Sequence, residues 1–197
     1  MFKNLGKQLR KPSGFYGKLV SLLLQFRNRQ FYLKIIPELE IKNGDKIFEI
    51  GYGPGLGIKM IAEKTKECVI HGIDFSELMY QQAIKRNRKL INQGIVKLTY
   101  GDFLTSTTHP EKYNKIFCVN VIYFWSDLYL VFMKIYAMLE KGGTFCIYMA
   151  HEKDLGNDFT DEFNKYSIEK VVSELKLAGF KEITYSLVPG YYIKAIS

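Results

Sequence analysis

The segment from Ile47 to Gly57, IFEIGYGPGLG, constrains the fold more than any other part of this chain. A short apolar run leads into glycines at positions 51, 53, 55 and 57. Glycine loses more conformational freedom on folding than other residues and offers no side chain to pack. Four glycines at alternate positions therefore predict a backbone that turns sharply after a strand, or that another group approaches closely.

From Asp45 onward the hydrophobic pattern alternates between strands and helices. Strands are predicted at 46–50, 68–73, 96–100, 115–122, 144–149, 182–188 and 191–196, and helices begin near Ile58, Glu77, Leu128 and Ser167. The helix from Leu128 is predicted to end at Leu139, before Lys141-Gly142-Gly143. This alternation predicts an α/β, Rossmann-like fold with a seven-stranded, mostly parallel sheet, helices on both faces and an antiparallel last strand.

The length of 197 residues fits one domain, and the cysteines and histidines argue against a metal site. Cys68, Cys118 and Cys146 are odd in number and lie in apolar runs, which is typical of reduced, buried thiols in the cytoplasm. His71, His109 and His151 have no partners at ligand spacing. We therefore predict a cytoplasmic protein that binds no metal.

The net charge of +8 is confined to one end of the chain. Residues 1–37 carry eight lysines and arginines and no acid, whereas the other 20 basic residues are balanced by 20 acidic ones. The sequence thus predicts a basic helical arm over residues 1–37, followed by a domain over residues 38–197. Because the domain itself is neutral, the composition argues against a nucleic-acid partner.

The arm has apolar residues at 15, 19, 22, 23 and 26, spaced for one face of a helix, and Pro37 is predicted to stop a short helix that follows. Three interpretations stay open: the helix packs on the sheet, it caps the ligand, or it makes peripheral contact with an anionic membrane. No apolar run reaches the roughly 18 residues of a membrane span.

The spacing of the glycine loop decides between ligands. The dinucleotide pattern G-x-G-x-x-G fails from each glycine, and no Gly-Lys-Ser/Thr follows for a phosphate-binding loop. The spacing present is E-x-G-x-G-x-G, beginning at Glu49. A carboxylate there either receives loop N–H groups or favours a ligand that carries an amine, and it would repel a diphosphate.

Glu49-Ile-Gly-Tyr-Gly-Pro-Gly resembles the first motif of class I S-adenosylmethionine-dependent methyltransferases, and further motifs follow in order. They are Gly72 to Met79, Tyr100 to Phe103, Tyr113 to Trp125, Met138 to Gly143 and Leu177 to Phe180. The resemblance covers roughly residues 38 to 197 and is nearest to small bacterial enzymes of the ubiquinone-biosynthesis-like (type 11) group.

The resemblance implies S-adenosyl-L-methionine as the methyl donor, S-adenosyl-L-homocysteine as the product, and a cofactor site at the exits of the strands. Asp74 would accept hydrogen bonds from the ribose hydroxyls, and Asp102 would accept a hydrogen bond from the adenine amino group. The implied cofactor residues are Glu49, Gly51, Tyr52, Gly53, Gly55, Asp74, Phe75, Gly101, Asp102, Phe103 and Asn120.

The acceptor pocket is predicted after the fourth strand, with Tyr123 and Trp125 as walls and Tyr16 and His151 as further candidates. No catalytic residue is assigned, since the need for a base depends on the acceptor. Asn120-x-x-Tyr123 lacks the prolines of the amino-methylating Asn-Pro-Pro-Tyr signature. These aromatic walls favour a small, partly apolar acceptor.

Two other functions fit the same motifs. The basic arm suits an enzyme that methylates lipid head groups at a membrane surface, and binding motifs alone also suit a non-catalytic S-adenosylmethionine-binding protein. The sequence leaves open the acceptor, the methylated atom and the oligomeric state.

Overall fold

The computed structural model describes residues 2–65, 67–107, 111–151, 155, 163–187 and 189–197. Its strands are β1 (Lys46–Ile50), β2 (Val69–Asp74), β3 (Val96–Tyr100), β4 (Tyr113–Val119), β5 (Leu139–Met149), β6 (Lys181–Leu187) and β7 (Tyr191–Ile196). Its helices are α1 (Phe2–Arg10), α2 (Gly14–Glu38), α3 (Leu56–Lys64), α4 (Glu77–Asn92), α5 (Leu128–Met138) and α6 (Ile168–Leu177), with a short 3₁₀ helix at Ile122–Phe124.

The seven strands form one sheet in the order β3-β2-β1-β4-β5-β7-β6. Strands β1 to β5 pair in parallel, and β7 runs antiparallel between β5 and β6. One apolar core packs the sheet against α5 and α6, and a second packs it against α2, α3 and α4. The predicted Rossmann-like fold with an antiparallel last strand is therefore confirmed.

The strand order places a topological switch point between β1 and β4. From this point the chain winds outward to β2 and β3 on one side and to β5 on the other. Open α/β sheets bind ligands in the crevice that such a reversal leaves at the carboxyl ends of the strands. The glycine loop after β1 and the loop after β4 both open into this crevice.

Several predicted boundaries are wrong by one to five residues, the largest error being the fifth strand, which begins at Leu139 rather than at residue 144. The fourth strand ends at Val119 rather than at residue 122, because the chain turns into the 3₁₀ helix. Helix α5 ends at Met138, and Leu139 already pairs with β4. Sheet pairing therefore ends the helix before the glycines at 142 and 143 are reached.

Helix α2 differs most from the sequence-based expectation. It is one continuous helix of 25 residues that includes Pro37 in its last turn, instead of a helix followed by a short one that Pro37 stops. We name the apolar face predicted from the sequence the outer face; it consists of Phe15, Leu19, Leu22, Leu23 and Phe26. All five side chains are exposed, so this face does not pack on the sheet. The interpretation that the helix packs on the sheet nevertheless holds, through its opposite face. The opposite face is buried, and Phe31 stacks on Tyr148 with ring centroids 3.9 Å apart.

Candidate active site

A cleft of about 1150 Å³, counting its open mouth, lies at the switch point between β1 and β4. Its walls come from the loops after β1, β2, β3 and β4, and its roof comes from α1, α2 and the turn between them. Nine predicted site residues line it: Gly51, Gly53, Asp74, Phe75, Gly101, Asp102, Phe103, Asn120 and Trp125. The fold thus brings most of the sequence motifs to one place.

Two glycines of the loop after β1 have different structural reasons to be glycine. Gly51 has a φ of +70°, and a Cβ there would lie 2.4 Å from Cγ2 of Val121 in the loop after β4. Gly53 has a φ of +53°, and a Cβ there would meet no atom within 4 Å. Gly51 therefore allows two loops to pack together, whereas Gly53 leaves open space beside the backbone where a ligand can approach.

Asp74, at the end of β2, is tied to the glycine loop. Its Oδ2 accepts a 2.8 Å hydrogen bond from the Gly53 N–H, and its Oδ1 accepts a 2.8 Å bond from the Ser76 N–H. Burial raises the pKa of Asp74 to about 6, against the effect of these two bonds. Each carboxylate oxygen has a second lone pair, so Asp74 can still accept two hydrogen bonds from a vicinal diol.

The loop after β3 is held in place by a lysine of α5. Lys134 Nζ donates to the carbonyl oxygens of Phe103 at 2.5 Å and Ser106 at 2.6 Å, and lies 4.8 Å from the Phe103 ring centroid. The exposed Asp102 carboxylate accepts from the Leu104 N–H at 2.9 Å. The loop therefore presents a buried ring and an accessible carboxylate side by side.

Asn120 follows β4 in a left-handed conformation, with a φ of +58°. Asparagine tolerates this region better than most residues other than glycine. Its Nδ2 donates to Oδ1 of Asn28 on α2 at 3.1 Å, and its Oδ1 accepts from the Tyr123 hydroxyl at 3.2 Å. The side chain thus joins the floor of the cleft to its roof.

Glu49 lies beneath the glycine loop and is fully buried. Its Oε1 accepts a 2.7 Å hydrogen bond from the Tyr32 hydroxyl of α2. Burial raises the pKa of Glu49 to about 8, the Tyr32 bond lowers it, and the Asp74 charge raises it. Glu49 does not line the cleft, and the side-chain bond that it accepts comes from the Tyr32 hydroxyl of α2 rather than from an N–H group of the glycine loop.

Comparison with known proteins agrees with this arrangement. A family model described as a methyltransferase domain matches residues 47–143. A Bacillus subtilis (strain 168) protein named uncharacterized methyltransferase YdaC is 32% identical over 149 residues, which cover 75% of this chain and 78% of that protein. The chain is a class I S-adenosylmethionine-dependent methyltransferase.

More distant methyltransferases share its fold. The Plasmodium falciparum (isolate 3D7) phosphoethanolamine N-methyltransferase is 27% identical over 175 residues, covering 81% of this chain and 62% of that protein. The solved phosphoethanolamine N-methyltransferase 2 of Haemonchus contortus, in complex with S-adenosyl-L-methionine, aligns with a TM-score of 0.70 and 24% identity. That alignment covers 80% of this methyltransferase but only 38% of the Haemonchus chain, so it speaks for the fold alone.

Several predicted site residues of this methyltransferase lie outside the cleft. The buried Tyr52 ring points away, and its hydroxyl donates to the Thr99 carbonyl. Gly55 is the N-cap of α3, and a Cβ there would lie 2.5 Å from Asn87 Nδ2, so its lack of a side chain serves packing. Tyr16 is 74% exposed on α2, because the side of the helix that carries it faces solvent.

Two further acceptor candidates, Tyr123 and His151, also lie outside the cleft. Tyr123 is buried behind the cleft wall, where its hydroxyl bonds to Asn120 and to the Ala150 N–H. His151 lines a separate shallow depression together with Tyr191, because β5 ends on the far side of β4. His109 lies outside the described residues, and among the described ones no three His, Cys, Asp or Glu side chains gather as metal ligands would.

Sequence reasoning missed the residues that the arm contributes to the methyltransferase. The cleft is also lined by Leu9, Arg10, Pro12, Gln25, Asn28 and Tyr32. The turn between α1 and α2 is fastened to the cofactor side, since Ser76 Oγ donates to the Pro12 carbonyl at 3.0 Å. Their sequence signal was weak, because the hydrogen bonds that place them join residues 17 to 92 positions apart and no local spacing records them.

Proposed function

We propose that this methyltransferase transfers a methyl group to a small, partly apolar acceptor held between the exits of the strands and the arm. The observation that carries the proposal is the position of Asp74. It is a buried carboxylate at the switch point, it is bonded to the glycine loop, and it retains lone pairs toward the cleft. A ribose diol is the ligand group that suits such a carboxylate.

The residues present fit S-adenosylmethionine. Asp74 would hold the ribose, the loop of Asp102 and Phe103 would hold the adenine, and the open side of Gly53 would admit the aminocarboxylate tail. Phe75 adds apolar surface beside the base. Asn120 would border the methionine part, since it lies on the β4 side of Gly51 and Gly53.

S-adenosylmethionine, when bound, supplies both the electrophilic methyl group and its leaving group. The chain then has to align the nucleophile with the methyl group and exclude water. The roof formed by the arm suits this task, because Asn28 is anchored by a hydrogen bond to Asn120 on the floor of the cleft and Tyr32 by one to Glu49 beneath the glycine loop. We therefore retain the cap interpretation of the arm as part of the proposal.

The class of acceptor is inferred from the residues that line the cleft but are not assigned to the cofactor. On the β4 side the cleft is lined by Val121, Phe124 and Trp125, and near the roof by Gln25 and Arg10. A flat or partly apolar molecule with a polar end would suit these surfaces. The proposal assigns no general base, because the need for one depends on the acceptor.

A second candidate is an acceptor drawn from a membrane, such as a lipid head group. The observation that favours it is the exposed outer face of α2. Phosphoethanolamine, named in the Plasmodium relative, is the polar head of a common lipid class and supports the same direction.

Binding and turnover test the proposal separately. Titration calorimetry should give micromolar or tighter binding of S-adenosylmethionine and S-adenosylhomocysteine and no binding of NAD; NAD binding alone would refute the cofactor assignment. Labelled methyl donor incubated with extracted metabolites, and in parallel with extracted lipids, should label a small partly apolar product in one of the two. Tight cofactor binding without transfer to either pool would instead indicate a non-catalytic binding protein.

Two further expectations stay part of the proposal. Cys68, Cys118 and Cys146 are free and buried, which suits a reducing cytoplasm. A nucleic-acid acceptor would need a basic surface on the domain, and steeply salt-dependent binding of RNA or DNA would be the sign of one.

A further inference from the structure

The outer face of α2 is an apolar surface turned to solvent. Its exposed fractions are 81% for Phe15, 54% for Leu19, 63% for Leu22, 64% for Leu23 and 88% for Phe26. At the helical pitch these five side chains fall within an arc of about 100°, opposite the buried face. Large side chains on one continuous arc are not scattered surface residues, and an exposed patch of this kind marks an interaction surface.

Basic residues flank this apolar arc on both sides. Lys18 and Arg29 lie along one edge and Arg27 along the other, and all three are exposed. No acidic residue occurs anywhere in residues 1–37. The surface therefore combines apolar side chains at its centre with positive charge at its edges.

We infer that the outer face docks this methyltransferase on an anionic membrane surface. Phe15, Leu22 and Phe26 would enter the boundary between head groups and acyl chains, and Lys18 and Arg29 would contact the anionic head groups. A helix with an apolar face bordered by lysine and arginine lies in the membrane interface in this way. Of the described helices, none combines the length and hydropathy that crossing a bilayer requires, so the contact proposed is peripheral.

The charge pattern favours a membrane over a second copy of the chain. Pairing two outer faces would bring together two arms that each carry eight basic residues and no acid. Like charges facing one another across an interface oppose association. An anionic bilayer offers both an apolar interior for the centre of the surface and opposite charge for its edges.

The other side of the same helix lines the cleft through Gln25, Asn28 and Tyr32. Docking would therefore place the cleft about one helix diameter, roughly 10–12 Å, from the membrane surface. The inference does not depend on which acceptor is used, and it would hold for a water-soluble one. Membrane docking would support a lipid acceptor only if the labelled methyl group is also transferred to the extracted lipids.

Vesicle co-sedimentation of the full chain tests the inference. We expect binding to phosphatidylcholine vesicles that contain phosphatidylglycerol, and roughly tenfold weaker binding to vesicles of phosphatidylcholine alone. The triple variant Leu22→Gln, Leu23→Gln, Phe26→Gln should lose binding to the anionic vesicles by about tenfold or more, because it removes apolar area without touching the buried face. Leu130→Gln with Leu177→Gln, two comparably exposed leucines on α5 and α6, is the matched control and should bind like the unchanged protein.

A second variant, Lys18→Gln with Arg29→Gln, leaves the apolar face intact. This variant should bind anionic and neutral vesicles with a smaller difference in affinity than the unchanged protein does. Added salt should reduce the same difference for the unchanged protein. Failure of the unchanged protein to bind anionic vesicles at low salt would overturn the inference, as would an equal loss of binding in the matched control. Self-association that the triple variant abolishes, without vesicle binding, would assign the face to a second copy instead. Cofactor affinity, measured alongside, reports on folding and on the proposed function independently of the vesicles.

Discussion

Replacing Asp74 by asparagine should weaken cofactor binding while leaving the fold in place. The carboxylate accepts one backbone N–H on each oxygen, from Gly53 and from Ser76, and has one further acceptor site per oxygen toward the cleft. An amide of the same shape keeps only one acceptor oxygen and turns an NH₂ group toward the other N–H. Loss of charge-assisted bonds to a ribose costs about 1–3 kcal/mol, which corresponds to about 5- to 150-fold in dissociation constant.

The pH dependence of binding gives a second, independent test of Asp74. Its pKa is raised to about 6 by burial, and the ionised form is the one that accepts from a diol. Affinity should therefore be nearly constant above pH 7 and fall by about tenfold for each unit below pH 6. The asparagine variant cannot ionise, so its affinity should not follow this profile.

Quenching of the single tryptophan provides a simple assay, because Trp125 lines the cleft and is almost fully buried. Titration of S-adenosylhomocysteine between pH 5 and 8 gives both the affinity and its profile. Glu77→Gln, which removes an exposed carboxylate at the start of α4, is the matched control and should behave like the unchanged protein. An unchanged dissociation constant in Asp74→Asn, or a flat profile in the unchanged protein, would refute the role given to Asp74.

Three further predictions concern residues that support the site. Glu49 has its pKa raised from 4.5 to about 8, so the folded state retains a proton that the unfolded state releases near pH 4.5. The free energy of unfolding should therefore fall as pH rises toward 8, by up to about 1.4 kcal/mol per unit, and Glu49→Gln should flatten this slope between pH 6 and 8 in urea unfolding. Gly51→Ala should lower the free energy of unfolding by about 1–3 kcal/mol, seen as a lower melting temperature. Adding Val121→Ala should restore part of this stability, because it removes the methyl group that the new Cβ would meet. An unchanged melting temperature in Gly51→Ala would argue against the close loop contact. Lys134→Met removes the donor to the Phe103 carbonyl, and calorimetry should register about 1 kcal/mol weaker cofactor binding with little change in melting temperature; equal cofactor affinity would show that the loop does not need this lysine.

Most of the cofactor-site residues could be predicted from the local spacing of residues in the sequence. The strand at 46–50 and the helix starts near Glu77, Leu128 and Ser167 follow from residue periodicity, and the structure has all of them, with Ser76, Asp127 and Ser167 as the N-caps of the three helices. The motif residues at the exits of β1, β2 and β3 reach one cleft because parallel strands bring their carboxyl ends to the same edge of a sheet. That consequence of topology needs no knowledge of side-chain packing.

Predictions that depended on the direction of a side chain failed more often. Tyr52 follows Gly51 directly, yet its ring packs beneath the loop while its neighbours line the cleft. His151 follows β5 closely but borders another depression. A residue in a loop can turn to either side of the sheet, and the choice is made by the partners that other elements bring to it.

The amino-acid sequence by itself determined the order of strands and helices, the glycine loop with its acidic neighbours, and hence the methyltransferase family. Only the tertiary structure decided which side of α2 is buried, because this helix has apolar residues on two opposite faces and periodicity cannot rank them. Packing against Tyr148 and the Tyr32–Glu49 hydrogen bond select the inner face. The outer face was thereby left to solvent, with its phenylalanines and leucines exposed between basic residues.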